Sequence, residues 1–173
     1  MSHRMSYAPD NEVLSATASF QLATMRAQDV EAVVAIENQA YPFPWSRGNF
    51  LDSLQSGYHA WIVQDQDSQV AGYFLAMPVL DEMHLLNITV RPSLQGRKLG
   101  RLLLDKVIQL ARSATMQSLL LEVRPSNTHA LAFYQHVCFE QIGIRKNYYP
   151  STGSTREDAI VMRLMLSKYH HGS

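Results

Sequence analysis

Arg91-Pro92-Ser93-Leu94-Gln95-Gly96-Arg97-Lys98-Leu99-Gly100-Arg101 joins two segments of different period. Before it, MHLLNITV (83–90) reads as a strand stopped by Arg91-Pro92; after it, Leu99, Leu103, Val107 and Leu110 recur at helical spacing. A loop that runs from a strand into an amphipathic helix offers the unpaired amides of a helix N-terminus, with the positive end of the helix dipole behind them. Gly96 and Gly100 let a ligand approach the backbone, and Arg97, Lys98 and Arg101 add positive charge. These are the ingredients of an anion site, most simply a pyrophosphate. An ordinary polar loop with a solvated basic cluster fits the same residues, and neither the P-loop pattern nor the dinucleotide fingerprint is present.

Working outward, QLATMRA (21–27) is strand-like, and Asp29 is placed to cap a helix that carries Val30, Val33, Val34 and Ile36 on one face. YPFPW (41–45) is not helix interior, because two prolines flank Phe43. Ser46 caps a second short helix reaching Leu54 and ending near Gly57. HAWIVQD (59–65) and VAGYFLAM (70–77) form an antiparallel hairpin across DQDSQ. SLLLEVR (118–124) is nearly continuous apolar, as expected for a strand buried on both faces. A helix from Asn127 to His136 precedes two final strands, CFEQIGIR (138–145) and DAIVMRLML (158–166). The order βααβββαβαββ predicts an α+β sandwich around one central mixed β-sheet flanked by helices.

The 173 residues suffice for one domain that buries roughly 68–70% of its unfolded surface. We expect residues 1–18 to be a mobile extension, 19–167 the domain and 168–173 a tail. Hydrophobic residues at 46% and charged residues at 17% exclude a disordered chain. Fifteen basic and fifteen acidic side chains cancel, which argues against a wide basic face for nucleic acid. The single cysteine, Cys138, excludes an internal disulfide framework and fits a reducing compartment, with a buried, inert thiol as its expected state. No apolar run approaches the roughly 18–20 residues needed to cross a bilayer, and MSHRMSYAPDNEVLSATAS lacks the apolar core of a secretory signal. The expectation is a cytoplasmic protein without membrane contact. His129 and His136 lie seven apart on one helix face, but no third ligand is evident, so no metal is expected.

Gln95-x-x-Lys98-x-Gly100 resembles the acyl-CoA loop of the GNAT N-acetyltransferases, whose pattern is Gln or Arg, two residues, Gly, one residue, then Gly or Ala. Lys98 stands at the first patterned glycine; if that position needs φ > 0, lysine costs of order 1 kcal/mol. Leu121-Glu122-Val123-Arg124-Pro125-Ser126-Asn127, Ala130-Leu131-Ala132-Phe133-Tyr134, Arg145-Lys146-Asn147-Tyr148-Tyr149-Pro150 and Glu157-Asp158-Ala159-Ile160-Val161-Met162 resemble the RimI branch of that family. So does Ala40-Tyr41-Pro42-Phe43-Pro44-Trp45-Ser46, and the likeness covers roughly residues 20–166.

The resemblance implies the GNAT, or acyl-CoA N-acyltransferase, fold and an acetyl-CoA-dependent enzyme that acetylates the N-terminal alanine of a small-subunit ribosomal protein. No activated nucleophile is visible, so direct transfer in a ternary complex is expected, and the chain is expected to be a monomer or weak dimer. Glu122 then serves as general base; a structural ion pair with Arg124 or a neighbouring strand is the alternative, because Arg124 shares its strand face. Tyr134 serves as general acid, or is a core tyrosine with a satisfied hydroxyl. Asn127 caps its helix and contacts the cofactor or acceptor. Ile88 and Val90 offer backbone amides to the pantetheine arm where two parallel strands splay, and Trp45, Tyr148 and Tyr149 either line the peptide cleft or serve only as packing. Glu157-Asp158 is either a solvated turn or a selector for a cationic peptide N-terminus.

An α-amine with pKa about 7.7–8.0 is roughly 10% unprotonated at neutral pH, a lysine amine only about 0.04%. A single carboxylate base therefore favours a protein N-terminus over a lysine. A GNAT acting on lysines or a small amine, or a CoA-binding module without catalysis, are the alternatives.

Overall fold

The computed structural model describes residues 17–169; most of the expected extension and tail lie outside them. Each change of period becomes an element, in the expected order: β1 (Gln21–Thr24), α1 (Val30–Ala40), α2 (Arg47–Gln55), β2 (His59–Gln64), β3 (Val70–Val79), β4 (Glu82–Val90), α3 (Leu99–Ser113), β5 (Ser118–Val123), α4 (Thr128–His136), β6 (Glu140–Pro150) and β7 (Arg156–Met165). Ser46 caps α2 by accepting from Asn49 N–H at 3.1 Å, and Gly57 at φ +76° turns the chain out of it. Asp29 does not cap α1. Its carboxylate instead accepts from Arg26 N–H at 2.8 Å, closing the single turn that precedes the helix.

The sheet runs β1-β2-β3-β4-β5-β7-β6, antiparallel throughout except where β4 meets β5. Helices α1 and α2 cover one face over β2 and β3, enclosing Val30, Val33, Ile36, Phe50, Ile62, Tyr73 and Leu75. Helices α3 and α4 cover the other, where Leu103, Leu104, Val107 and Ile108 are fully buried against Phe74, Met83, Leu119 and Leu121. Those four α3 side chains alone are worth roughly 6–12 kcal/mol of gross hydrophobic stabilisation.

Three expectations change. Strand β5 is not buried on both faces: Leu119, Leu121 and Val123 are buried, but Leu120 and Glu122 face away from α3 and α4 and are half-buried, because the α1–α2 layer ends over β3 and β4. Strand β6 runs on to Pro150 through a bulge. There Asn147 adopts φ 53°, its N–H donates to Asp158 Oδ1 at 2.9 Å, and the pairing jumps from Arg145↔Ala159 to Tyr149↔Glu157. Tyr169, expected in the tail, is buried; its hydroxyl accepts from Arg101 Nη2 at 2.5 Å and its carbonyl from Arg112 Nη2 at 2.8 Å. The packed chain therefore extends past the expected boundary at 167.

Candidate active site

Strands β4 and β5 pair over four positions only, Glu82↔Ser118 to Leu85↔Leu121. Strand β4 nevertheless stays on β3 as far as Val90↔Gly72, with a bulge at Leu86, since Leu75 pairs with Asn87 and Ala76 with Leu85. The two parallel strands thus part as expected, and the gap opens a cleft of ≈ 580 Å³. Arg91 N–H donates to Ala71 O on β3 at 2.8 Å. By the two-residue period of a strand, the amides of Ile88 and Val90 point the other way, into the gap.

The loop closes one end of this cleft. Gln95, Gly96, Lys98, Gly100 and Arg101 all line it, whereas Arg97 is exposed and does not. Gly96 adopts φ +80°, and Lys98, at the N-cap of α3, adopts φ 62°. The lysine therefore carries the left-handed strain anticipated for it, about 1 kcal/mol. At Gly100 a β-carbon would meet only Val90 Cγ2 at 3.9 Å and Phe133 Cζ at 4.0 Å, so packing does not require glycine; its absence of a side chain keeps the first turn of α3 bare toward the cleft. Arg101 lines the wall, but its guanidinium reaches along the helix to Asp105 Oδ1 at 3.0 Å and to Tyr169, so its charge serves that pair as well as the loop.

Helix α4 forms the opposite wall. Asn127 caps it as expected, accepting from Ala130 N–H at 3.2 Å, and also borders the cleft. His129 and His136 face the cleft from the same helix; among the described residues no group of three or more metal-binding side chains occurs. Tyr134 lies at the inner end, its ring between those of Phe133 and Phe139, each 5.5 Å away. Burial first, then the nearby hydroxyls of Tyr41 and Tyr149, hold the Tyr134 phenol well above its ordinary pKa.

Tyr41 is a site residue that the sequence reading did not single out. Its hydroxyl lies 2.8 Å from Thr89 Oγ1 and 3.3 Å from Ile88 O, and burial pushes its pKa up to about 12 against the Thr89 bond, with Glu37 adding to the rise. Behind it Glu37, 2% exposed, accepts from the Tyr73 hydroxyl, from Asn87 Nδ2 at 3.1 Å and from Trp45 N–H at 3.1 Å. The signal for this network was present: Glu37 lies four residues after Val33 and seven after Val30, on the apolar stripe of α1. A carboxylate on such a stripe requires partners.

On the sheet face away from α3 and α4, Glu122 is the first residue of β5 past its last pair with β4. Its partner is not Arg124 but Arg145 of β6, whose Nη1 donates to Oε1 at 2.8 Å. His84 Nε2, a second residue the sequence reading missed, lies 3.8 Å from the same oxygen. Arg124 instead donates to Glu157 Oε2 at 3.2 Å, and its guanidinium lies over Tyr149 at 4.3 Å and Phe43 at 5.4 Å. Glu157 is not a free carboxylate in a solvated turn: burial, the largest single influence, raises its carboxyl, but bonds from Ser126 N–H and Oγ and from Arg124 together hold it below the usual range.

The Asn147 bulge brings Tyr148 and Tyr149 into edge contact, centroids 4.9 Å apart. Burial and a hydrogen bond to Glu122 raise the Tyr148 phenol; burial and the Glu122 charge raise that of Tyr149. Trp45 does not join them. Its ring packs on Phe50 at 5.3 Å and borders a separate ≈ 340 Å³ depression with Tyr58 and Leu86. Cys138 is exposed rather than buried, because it occupies the chain reversal after α4 at φ 72°. No helix among the described residues is long and apolar enough to cross a membrane.

The assembled features are a bare helix N-terminus, a split parallel pair whose free amides face the split, and a buried phenol at the inner end. They fit a long ligand with an anionic end and an amide-bearing arm, as acetyl-CoA is. Residues 30–138 match the profile of the Acetyltransferase (GNAT) family. The [Ribosomal protein bS18]-alanine N-acetyltransferase of Escherichia coli (strain K12) is 38% identical over 146 residues, 84% of this chain and 97% of that protein. The crystal structure of the ribosomal-protein-S18-alanine N-acetyltransferase from Escherichia coli superposes with a TM-score of 0.78 at 36% identity, covering 89% of this chain and 98% of that one. A putative acetyltransferase from Salmonella typhimurium, solved with its cofactor acetyl-CoA, shares the fold at a TM-score of 0.71 and 19% identity, over 89% of this chain and 97% of that chain.

Proposed function

This chain belongs to the GNAT acetyltransferase family, and on that premise we propose that it acetylates the α-amine of an N-terminal alanine on a small-subunit ribosomal protein. The observation that carries the reading is the 38% identity, spread over 84% of the chain, to relatives named for that reaction.

Acetyl-CoA supplies the activated thioester; the chain supplies binding, orientation and proton management. The first-turn amides of α3, with Gly96 and Lys98, hold the diphosphate. The Ile88 and Val90 amides take the place of strand partners for the amide-bearing arm, and one of them polarises the reacting carbonyl. Tyr134, kept neutral by burial, holds a proton for the departing sulfur. Glu122, on the other side of the gap, receives the acceptor amine and directs its proton away. Tyr148 and Tyr149 flank the acceptor; Trp45, which borders a separate depression, contributes by anchoring its loop to Glu37 through the backbone. No activated nucleophile accompanies these residues, so transfer is direct, within a ternary complex.

Purified enzyme is incubated with acetyl-CoA and two peptides, one with a free N-terminal alanine and one blocked at its N-terminus but bearing lysine, and ribosomal proteins are treated in parallel. Mass spectrometry should show a single added acetyl group on the N-terminal alanine of the free peptide and of one small-subunit protein. Acetylation of the blocked peptide alone would overturn the acceptor assignment.

A further inference from the structure

His84 is paired in register with Leu120, and Glu122 lies two residues further along β5. Both side chains therefore leave the sheet on the same face, on either side of the last rung, Leu85↔Leu121, where the strands part. That face carries none of the α3–α4 core: Met83, Leu85, Leu119 and Leu121 point to the other side. The His84 side chain is 20% exposed and that of Glu122 10%, so both reach solvent beside the gap.

We propose that His84 is the proton acceptor for the amine, and that Glu122 holds and charge-balances the imidazolium that results; this rests on the acetyltransferase reading given above. Two geometric facts support it. A proton placed on Glu122 Oε1 would uncouple it from Arg145, whose Nη1 donates at 2.8 Å. A proton placed on His84 Nε2, now 3.8 Å from the same oxygen, creates a new charge-assisted bond as the gap closes to hydrogen-bond length. Imidazole is also the side chain suited to accept a proton near neutrality. The step balances as follows: the α-ammonium passes one proton to Nε2, its freed lone pair forms the C–N bond, and the C–S bond breaks with its electron pair on sulfur. Tyr134 gives that sulfur a proton and regains one from the second N–H of the adduct, and the imidazolium returns its proton to solvent after product leaves.

The other charged groups on this face are already engaged. Glu82, two residues before His84, accepts from Ser118 Oγ at 2.9 Å and from Arg163 Nε at 2.8 Å. On β6, Arg145 and Tyr148 both address Glu122. On β3 the residue in register with His84 is Met77, which carries no charge.

The acceptor's own amine titrates near neutrality, so chemical rescue is a cleaner test than a pH profile. With the acceptor peptide that the wild type uses, H84A and H84Q should each lower kcat by about 10²–10⁴-fold. Calorimetric CoA binding and peptide KM should stay within about twofold in both, showing that the fold and cleft persist. Added imidazole should restore H84A in proportion to the concentration of its neutral form and should leave E122Q unrestored. Either variant keeping kcat within about twofold of wild type, or H84A showing no imidazole response, would overturn the proposal. Wild-type activity on the lysine peptide alone would sink the acceptor assignment instead, and the same variants assayed on that peptide would still decide the role of His84.

Discussion

Replacing Cys138 by glycine should make the protein more stable without changing its chemistry. Helix α4 ends in a Schellman reversal: Cys138 N–H donates to Gln135 O at 3.0 Å and Phe139 N–H to Tyr134 O at 2.9 Å, with Cys138 at φ 72°. A side chain in this left-handed position costs roughly 1–2 kcal/mol relative to glycine. Glycine's greater freedom in the unfolded chain offsets about 0.4–1 kcal/mol of that. The thiol is exposed, so little packing is lost. The net gain is therefore roughly 0–1.6 kcal/mol, centred at about 0.8, and at ~2–4 °C per kcal/mol for a chain of this size Tm should rise by about 2–3 °C. Differential scanning calorimetry in reductant measures this directly. Cys138→Ala is the control: it removes the sulfur, keeps the β-carbon, and should leave Tm within about 1 °C by the same reasoning. A glycine variant no more stable than the alanine variant would refute the backbone argument, and a gain shared by both would assign the effect to the thiol.

Lys98→Gly sets two effects against each other: relief of φ 62° should raise Tm, while loss of the ammonium beside the cleft should weaken CoA binding by about tenfold, read by calorimetry. Tyr134→Phe should lower kcat by about 10²-fold or more with CoA affinity retained, checked by steady-state kinetics beside titration calorimetry. Tyr41 has its folded pKa raised from 10.0 to about 12, so its neutral form stabilises the fold below pH 10 and that contribution disappears as pH rises through about 12. Circular dichroism should accordingly show stability falling across that window, and Y41F should flatten the fall; an unchanged alkaline profile in Y41F would count against the buried phenol.

The order of elements was legible because each announces itself locally: Ser46 caps, Pro92 stops a strand, and Leu99, Leu103 and Val107 keep the helical period. The loop residues at the cleft were equally legible, apart from Arg97, whose neighbours do not reveal which way a loop side chain turns. What stayed hidden depends on pairing between distant segments. The sheet places β7 between β5 and β6, so Glu122 meets Arg145 across an intervening strand, and no local pattern distinguishes that partner from Arg124, two residues away. The bulge at Asn147 likewise depends on Asp158 in the facing strand. His84 was invisible because a lone histidine in an apolar run has no meaning until Glu122 is placed beside it.

The four-rung junction between β4 and β5 has a mechanical consequence. Strands β1 to β4 form one continuous antiparallel meander, and β5, β7 and β6 form a second antiparallel group with β7 in its middle, each closed by neighbours in its own stretch of chain. The seam between these halves is the shortest pairing in the interior of the sheet, bridged otherwise by the long crossover through α3. The cleft draws Tyr41, Ile88 and the loop from the first half, and Asn127 and Tyr134 from the second. Any molecule seated there acts as a rivet across the joint, so hydrogen exchange at Leu85 and Leu121 should slow on CoA binding more than exchange within the antiparallel pairs of either half.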